Sequence, residues 1–292
     1  MDREPVIRPG SLERCPNRVR QREPRVATAP RDCSVTGALP GYIQSVERAA
    51  AILRLLSGRT RRLGVVDLAG ELELSKGTVH GLLRTLQRVG FVEQDQESGK
   101  YQLGAALLHM GSSYLDGNEL RTRALNWSDS LAARTQEAVR IGTLHDSQVL
   151  IVHHVFRPDD SLQSLDVGSL LPAHATALGK VLLANHPHVG AELTKRELVA
   201  FTTATITDHG RLEREFARVR AQGWGAEIGE LSPDRVSIAA PIMDRQGAAV
   251  GAIAIFGPPE RLLDARTPRG DLLGDVREAA RAVSRELGAI PW

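Results

Sequence analysis

Apolar residues recur at helical spacing from Ile43 onward, with Val46, Ala49, Ala50, Leu53 and Leu56 on one face. Ser57 to Gly64 interrupts the pattern. A second, short helix is predicted over Val66–Leu72, then a tight Glu73-Leu74-Ser75 connection, then a third helix over Lys76–Val89 that Ser75 caps and Gly90 ends. Phe91–Gln94 and Lys100–Leu103, joined by Asp95-Gln96-Glu97-Ser98-Gly99, read as a hairpin. Helical pattern resumes over Ala105–Tyr114, breaks at Gly117-Asn118 and continues through about Arg134. From Ala138 the period becomes that of strands. Ala138–Leu144 and Val149–Val155 form a hairpin around Asp146-Ser147, and Val236, Ile238 and Ala240 are answered by Ala249–Phe256 across a turn at Asp244–Gly247. Helices are expected over Ala177–Ala184, over Arg211–Gln222 with Asp208 as cap, and over a final stretch carrying Leu273, Val276, Ala280, Val283 and Leu287. Helices mixed with antiparallel strand pairs make an α+β chain.

Composition changes this picture in two places. Residues 1–41 hold six prolines, and the first 40 carry eight Arg against five acids without apolar periodicity. They read as a disordered basic arm, either a DNA-tracking tail or a solvated extension. Both cysteines, Cys15 and Cys33, lie there, so neither a disulfide framework nor a thiolate metal site is expected in the rest of the chain. The remainder is average: 292 residues, 42% hydrophobic, 25% charged, formal net charge +2. That size suggests about two domains. No apolar run is long enough to span a membrane and the N-terminus has no secretory pattern, so the expectation is a cytoplasmic protein without a membrane partner.

Three helices followed by a hairpin in about 60 residues are the order of a winged helix-turn-helix, whose second paired helix enters the DNA major groove. The third helix has the side chains for that task. Val79, Leu82, Leu83 and Leu86 form its apolar face, while Lys76, Thr78, His80, Arg84 and Arg88 present donors suited to phosphates, guanine edges or a thymine methyl. Ser75 stands at its start, and Lys100 at the wing tip is placed to reach a phosphate or the adjacent minor groove. Because bulk charge is near neutral, this rests on local pattern alone. A solvated helix face, in a ligand-binding or interaction protein whose winged helix does not touch DNA, gives the same pattern.

Enzymatic readings find little support. No G-x-S-x-G, Walker A or dinucleotide fingerprint occurs. His153 and His154, adjacent on a strand, point to opposite faces and cannot share one ion. His186-Pro187-His188 reads as a loop without an acidic or cysteine partner at metal spacing. No metal, cofactor or catalytic residue is expected.

Several separated strings resemble one family. They are Ile43-Gln44-Ser45-Val46-Glu47-Arg48-Ala49, Leu74-Ser75-Lys76-Gly77-Thr78-Val79-His80-Gly81-Leu82-Leu83-Arg84-Thr85-Leu86, and Gly99-Lys100-Tyr101-Gln102-Leu103-Gly104. In the second half come Leu171-Pro172-Ala173-His174-Ala175-Thr176-Ala177-Leu178-Gly179-Lys180, Thr205-Ile206-Thr207 and Ser237-Ile238-Ala239-Ala240-Pro241-Ile242. Together these resemble the IclR-type transcriptional regulators over about residues 42–290. Lys76-Gly77-Thr78, His80-Gly81 and His153–Asp160 are similar to the glycerol operon regulators of actinobacteria. The resemblance implies a winged helix-turn-helix domain at 42–104, a linker helix at 105–125 and a GAF-like effector-binding and oligomerisation domain at 126–290. It implies a homodimer or homotetramer on an approximately inverted-repeat operator in double-stranded DNA, with a small-molecule effector, glycerol or glycerol 3-phosphate, relieving repression. The implied effector residues are Leu171, Ala177, Leu178, Glu227, Ser237, Ala254 and Phe256. Ala177 and Leu178 would offer backbone N–H groups at a helix start. Ala254 and Phe256 stand where relatives carry hydroxyls. A phosphate would need a cation, for which His174 and Arg235 are candidates. Gly77 and Gly81 replace the Ser and Arg common in the family, which shifts base readout toward Thr78, His80 and Arg84.

Overall fold

The computed structural model describes residues 43–58, 62–159, 163–193 and 195–289. The basic arm at 1–41 and both cysteines lie outside these residues. The N-terminal unit comprises α1 (Gln44–Leu56), α2 (Val65–Glu71), α3 (Lys76–Arg88) and the hairpin strands β1 (Val92–Gln94) and β2 (Tyr101–Leu103). Its core gathers Ile52 and Leu56 of α1, Leu68 of α2, Val79, Leu83 and Leu86 of α3, and Val92 and Tyr101 of the hairpin. The α2–α3 turn is tight because Glu73 takes a left-handed conformation, φ 54°. The hairpin is pinned by Arg62, whose guanidinium pairs with Asp95 at 2.9 Å and whose Nε donates to Gln102 at 3.0 Å. Gly81 and Gly77 sit on the open side of α3. Two helices follow, α4 (Ala105–Asp116) and α5 (Glu119–Thr135), with Asn118 capping the second.

The C-terminal unit is built on one antiparallel sheet. Its strands are β3 (Ala138–His145), β4 (Gln148–Val155), β5 (Leu170–Pro172), β6 (Gly225–Ile228), β7 (Val236–Met243) and β8 (Ala249–Gly257), in the order β5-β4-β3-β8-β7-β6. The connections carry α6 (Ala177–Asn185), α7 (Pro187–Leu193) and α8 (His209–Gln222). The chain closes with α9 (Pro259–Leu262), the short pair β9 (Leu263–Asp264) and β10 (Thr267–Pro268), and α10 (Gly270–Glu286). Alternation divides the sheet residues between two layers. Ile141, Ile238, Ala240, Ile253 and Ile255 meet α5 and α10 through Leu131, Val276 and Val283. Val149, Ile151, Ala239, Ala252 and Ala254 meet α6 and α8 through Val181, Leu182, Leu212 and Phe216. Leu120 and Ala124 of α5 already belong to the first of these cores.

Several details depart from the sequence expectation. The stretch His186-Pro187-His188 is not a loop: α7 starts at Pro187, a position where the missing N–H costs a helix nothing, and His186 Nε2 bonds the Ala249 carbonyl at 2.7 Å. The edge strands β5 and β6 were not expected. Strand β4 also carries a bulge. Ile141 faces His153 while Gly142 faces Ile151, so Val152 is the extra residue. Downstream of it the phase changes. His153 opposes Ile141 of the α5/α10 layer, and His154 comes to oppose Arg140 on the other face. Among the described residues no helix is long and apolar enough to cross a membrane.

Candidate functional site

Two places concentrate chemistry. The first is α3. Ser75 Oγ accepts from the Thr78 amide at 3.1 Å, the N-cap expected from sequence, and lies 2.9 Å from Thr78 Oγ1. These two hydroxyls therefore serve each other. With Val79, Leu83 and Leu86 buried, the exposed side of the helix carries Lys76, His80, Arg84 and Arg88. Their spacing of four residues makes a row rising about 6 Å per step, cationic through Lys76, Arg84 and Arg88. Thr78 is half-buried at its margin, and Lys100 is exposed at the hairpin turn, where Gly99 takes φ 66°.

The second place is a cavity of about 40 Å³ between the sheet and the start of α6, lined by Arg140, Leu171, Thr176, Leu178, Glu227, Leu231, Ser232, Arg235, Val236, Ser237, Ala254 and Phe256. At ~10–15 Å³ per water it has room for on the order of three waters. Of the effector residues expected from sequence, Leu171, Leu178, Glu227, Ser237, Ala254 and Phe256 line it. Ala177 is absent from the lining: its side chain packs into the core beneath α6, while its backbone N–H stays at the start of that helix. Of the two candidate cations, Arg235 lines the cavity. His174 lies elsewhere, with Nε2 3.0 Å from the Val199 carbonyl and its ring against Phe201.

Glu227 is buried on β6. One carboxylate oxygen accepts from the amides of Glu230 (2.6 Å) and Leu231 (3.2 Å), and the other accepts from the Ser237 hydroxyl at 3.2 Å. Burial pushes its pKa up to about 7 despite these bonds. The adjoining turn is held from below by Lys180, fully buried and paired with Glu230, with its Nζ 3.3 Å from the Ala226 carbonyl. Arg140 was missed by the sequence reading. It projects from β3 with its Cζ 3.5 Å from the Phe256 ring centroid and forms an ion pair with Asp166. The Asp166 amide donates to His154 Nδ1 at 3.2 Å, so the neutral ring carries its proton on Nε2. Burial, together with the Arg140 charge, lowers the His154 pKa to about 4.

Residues 45–96 match the IclR helix-turn-helix domain and residues 112–285 match the bacterial transcriptional regulator IclR C-terminal domain. The second match alone covers more than half of the chain. The chain belongs to the IclR family. It is 53% identical over 247 residues to the glycerol operon regulatory protein of Streptomyces coelicolor, spanning 85% of this chain and 97% of the relative. Against the protein of the same description from Streptomyces griseus the identity is 51% over the same shares. Among solved structures, a transcriptional regulator from Rhodococcus sp. RHA1 superposes with a TM-score of 0.72 at 28% identity, covering 85% of this chain and 99% of that one. As an IclR-family protein the chain is a DNA-binding transcriptional regulator, and these relatives are described as regulators. The α3 row falls inside the matched helix-turn-helix segment, and the cavity falls inside the matched C-terminal segment.

Proposed function

We propose that this IclR-family chain is a one-component repressor of polyol metabolism, working in the bacterial cytoplasm. In this reading α3 and the hairpin read an operator, and a small metabolite in the sheet–α6 cavity sets how tightly they do so. The observation that carries it is the coexistence on one chain of an exposed cationic row on α3 and a buried cavity with polar groups. The Streptomyces relatives, described as glycerol operon regulators and matched over nearly their whole length, support glycerol or glycerol 3-phosphate as the effector.

Lys76, Arg88 and Lys100 serve phosphates, while Thr78, His80 and Arg84 serve base edges and Ser75 fixes the helix start. Leu171, Leu178, Glu227, Ser237, Ala254 and Phe256 shape the effector cavity. Two copies pair, so the operator is an approximate inverted repeat. Helix α4 supports pairing: it buries none of its residues and leaves Leu108 75%, Met110 54% and Tyr114 56% exposed, an apolar surface of the kind that marks an interface.

The test is anisotropy of a labelled promoter fragment titrated with the full chain, with and without glycerol or glycerol 3-phosphate, over a salt series. The expected log–log salt slope is roughly −0.9 per phosphate neutralised, with release on adding effector. A flat salt dependence, or binding indifferent to both compounds, overturns the reading.

A further inference from the structure

The polar capacity of the cavity wall divides unevenly. Glu227 spends both carboxylate oxygens on the chain, and the Ser237 hydroxyl donates to it. The Thr176 hydroxyl donates to the Pro172 carbonyl at 3.1 Å and accepts from the Gly179 amide at 3.2 Å. The Ser232 hydroxyl donates to Asp234. The neutral groups and the acid are thus already engaged. Among the polar side chains of the lining, what remains is cationic. The Arg140 Nε is buried with no hydrogen-bond partner among the described residues. The Arg235 side chain forms no ion pair or hydrogen bond among them, and its Cζ stands 5.9 Å from the Phe256 centroid that Arg140 also covers. The Arg235 charge works against that of Arg140, and an anion between the two relieves that repulsion.

The carboxylate that meets Arg140 comes from outside the cavity wall. Asp166 lies on the segment between β4 and β5, with a side chain 23% exposed. With side chains only 17% and 23% exposed the pair is mostly buried, so an anion must take the place of the Asp166 carboxylate and cannot leave the Arg140 guanidinium unpaired. A ligand anion in the cavity can meet the buried Arg140 guanidinium and the exposed Arg235 together, two charge-assisted partners in place of the single pair that Arg140 makes with Asp166. The Asp166 segment is itself tied to the site, because its amide bonds His154 Nδ1 and its carbonyl accepts from Ser169 at 2.9 Å, one residue before the β5 edge strand that supplies Leu171.

We infer that Arg140 decides what this cavity accepts: it exchanges the Asp166 carboxylate for an anionic group of the ligand, with Arg235 as second donor, so the cavity takes a small organic anion in preference to a neutral polyol. The inference rests on the effector-cavity reading above and deepens it. Arg140 is a specificity-determining residue and Asp166 its intramolecular competitor. Arrival of the anion frees the 163–169 segment from the guanidinium, which links occupancy to the position of the β5 edge.

The test is calorimetric titration of the full-length protein with glycerol 3-phosphate, lactate, inorganic phosphate and glycerol, for the wild type and for Asp166→Asn, Arg140→Met and Arg140→Lys. At least one anion is expected to bind at least tenfold more tightly than glycerol. Asp166→Asn, which removes the competitor, should tighten that anion about tenfold and leave glycerol unchanged. Arg140→Met should weaken the anion at least tenfold more than it weakens glycerol. Arg140→Lys keeps the charge without the fork, should fall between, and gives the answer if the Met variant does not fold. The inference is overturned if Asp166→Asn weakens anion binding, if both Arg140 variants bind the anion like wild type, or if no anion outcompetes glycerol. Anion binding with this residue dependence but no effect on operator affinity would instead defeat the proposed regulation and leave the Arg140 assignment intact.

Discussion

Helices α3 and α6 begin alike and end up in opposite surroundings. Each opens on a hydroxyl residue whose oxygen accepts from the third amide of the helix, Ser75 from Thr78 and Thr176 from Gly179. Yet α3 keeps a cationic row in solvent, whereas α6 is buried from Ala177 to Ala184, Lys180 included. Their glycines have opposite meanings. A Cβ at Gly81 would meet no atom within 4 Å, while one at Gly179 would lie 2.1 Å from the Ala173 carbonyl oxygen. In α3 glycine leaves room for something outside the chain, and in α6 it lets backbone press on backbone beside the cavity. The same local grammar thus builds a surface that reads a partner and a buried wall that shapes a pocket.

The largest effect should come from removing that close approach. Gly179→Ala must push the Ala173 turn away from α6, and overpacking of this kind costs ~3 kcal/mol or more when backbone is struck. Thermal unfolding followed by circular dichroism should show a large drop in Tm or no folded protein. A wild-type melting curve would mean that the contact between the turn and α6 is loose.

Next comes Glu227. Its folded pKa of about 7 stands above the ordinary 4.5, so the folded state holds a proton that the unfolded chain has released. The stability this contributes is fully present below about pH 4.5 and is lost as pH rises through about 7. Glu227→Gln keeps the shape and cannot ionise. It should be more stable than wild type at pH 8, by roughly 3 kcal/mol, and converge with it below about pH 4.5. Parallel stability–pH curves for the two proteins would refute the burial argument.

On the open helix the effects are smaller and of another kind. Arg84→Ala and His80→Ala should each lower operator affinity by ~1–2 kcal/mol, the scale of a lost base contact. Melting temperature and effector affinity should not change, since both side chains are exposed. Undiminished operator binding in both variants would move recognition off α3. The smallest effect belongs to Gly81→Ala, which should stabilise the protein by up to ~1 kcal/mol through helix propensity alone. Destabilisation there would show that the open side of α3 is not open.

Legibility from sequence followed the same division. The N-terminal unit was readable nearly to the residue, including the Ser75 cap, because its signals are local: a period, a cap and a turn. The long central strands and α8 with its Asp208 cap were readable for the same reason. The edge strands β5 and β6 were not, since three or four residues carry too little alternation. The start of α7 was hidden by Pro187, which reads as a loop signal but suits the first turn of a helix. Arg140 was overlooked because a charged residue within Ala138–Leu144 reads as solvent-facing. Only the pairing of β3 with β8 sets it over Phe256. His174 and Arg235 stand out in the sequence by charge alone, and which of the two meets the cavity is decided by packing that the sequence does not display.

The bulge at Val152 makes β4 two strands spliced out of phase. Upstream of it the strand supplies the apolar floor under α6, and downstream it supplies the polar neighbours of Arg140. A single inserted or deleted residue at this joint would exchange His154 for its neighbour on the ligand-side face while leaving Val149 and Ile151 where they are. In this fold a change of chain length by one therefore recasts the surroundings of Arg140 while leaving the floor under α6 in register, at the cost of disturbing Val152 and Val155 in the α5/α10 core.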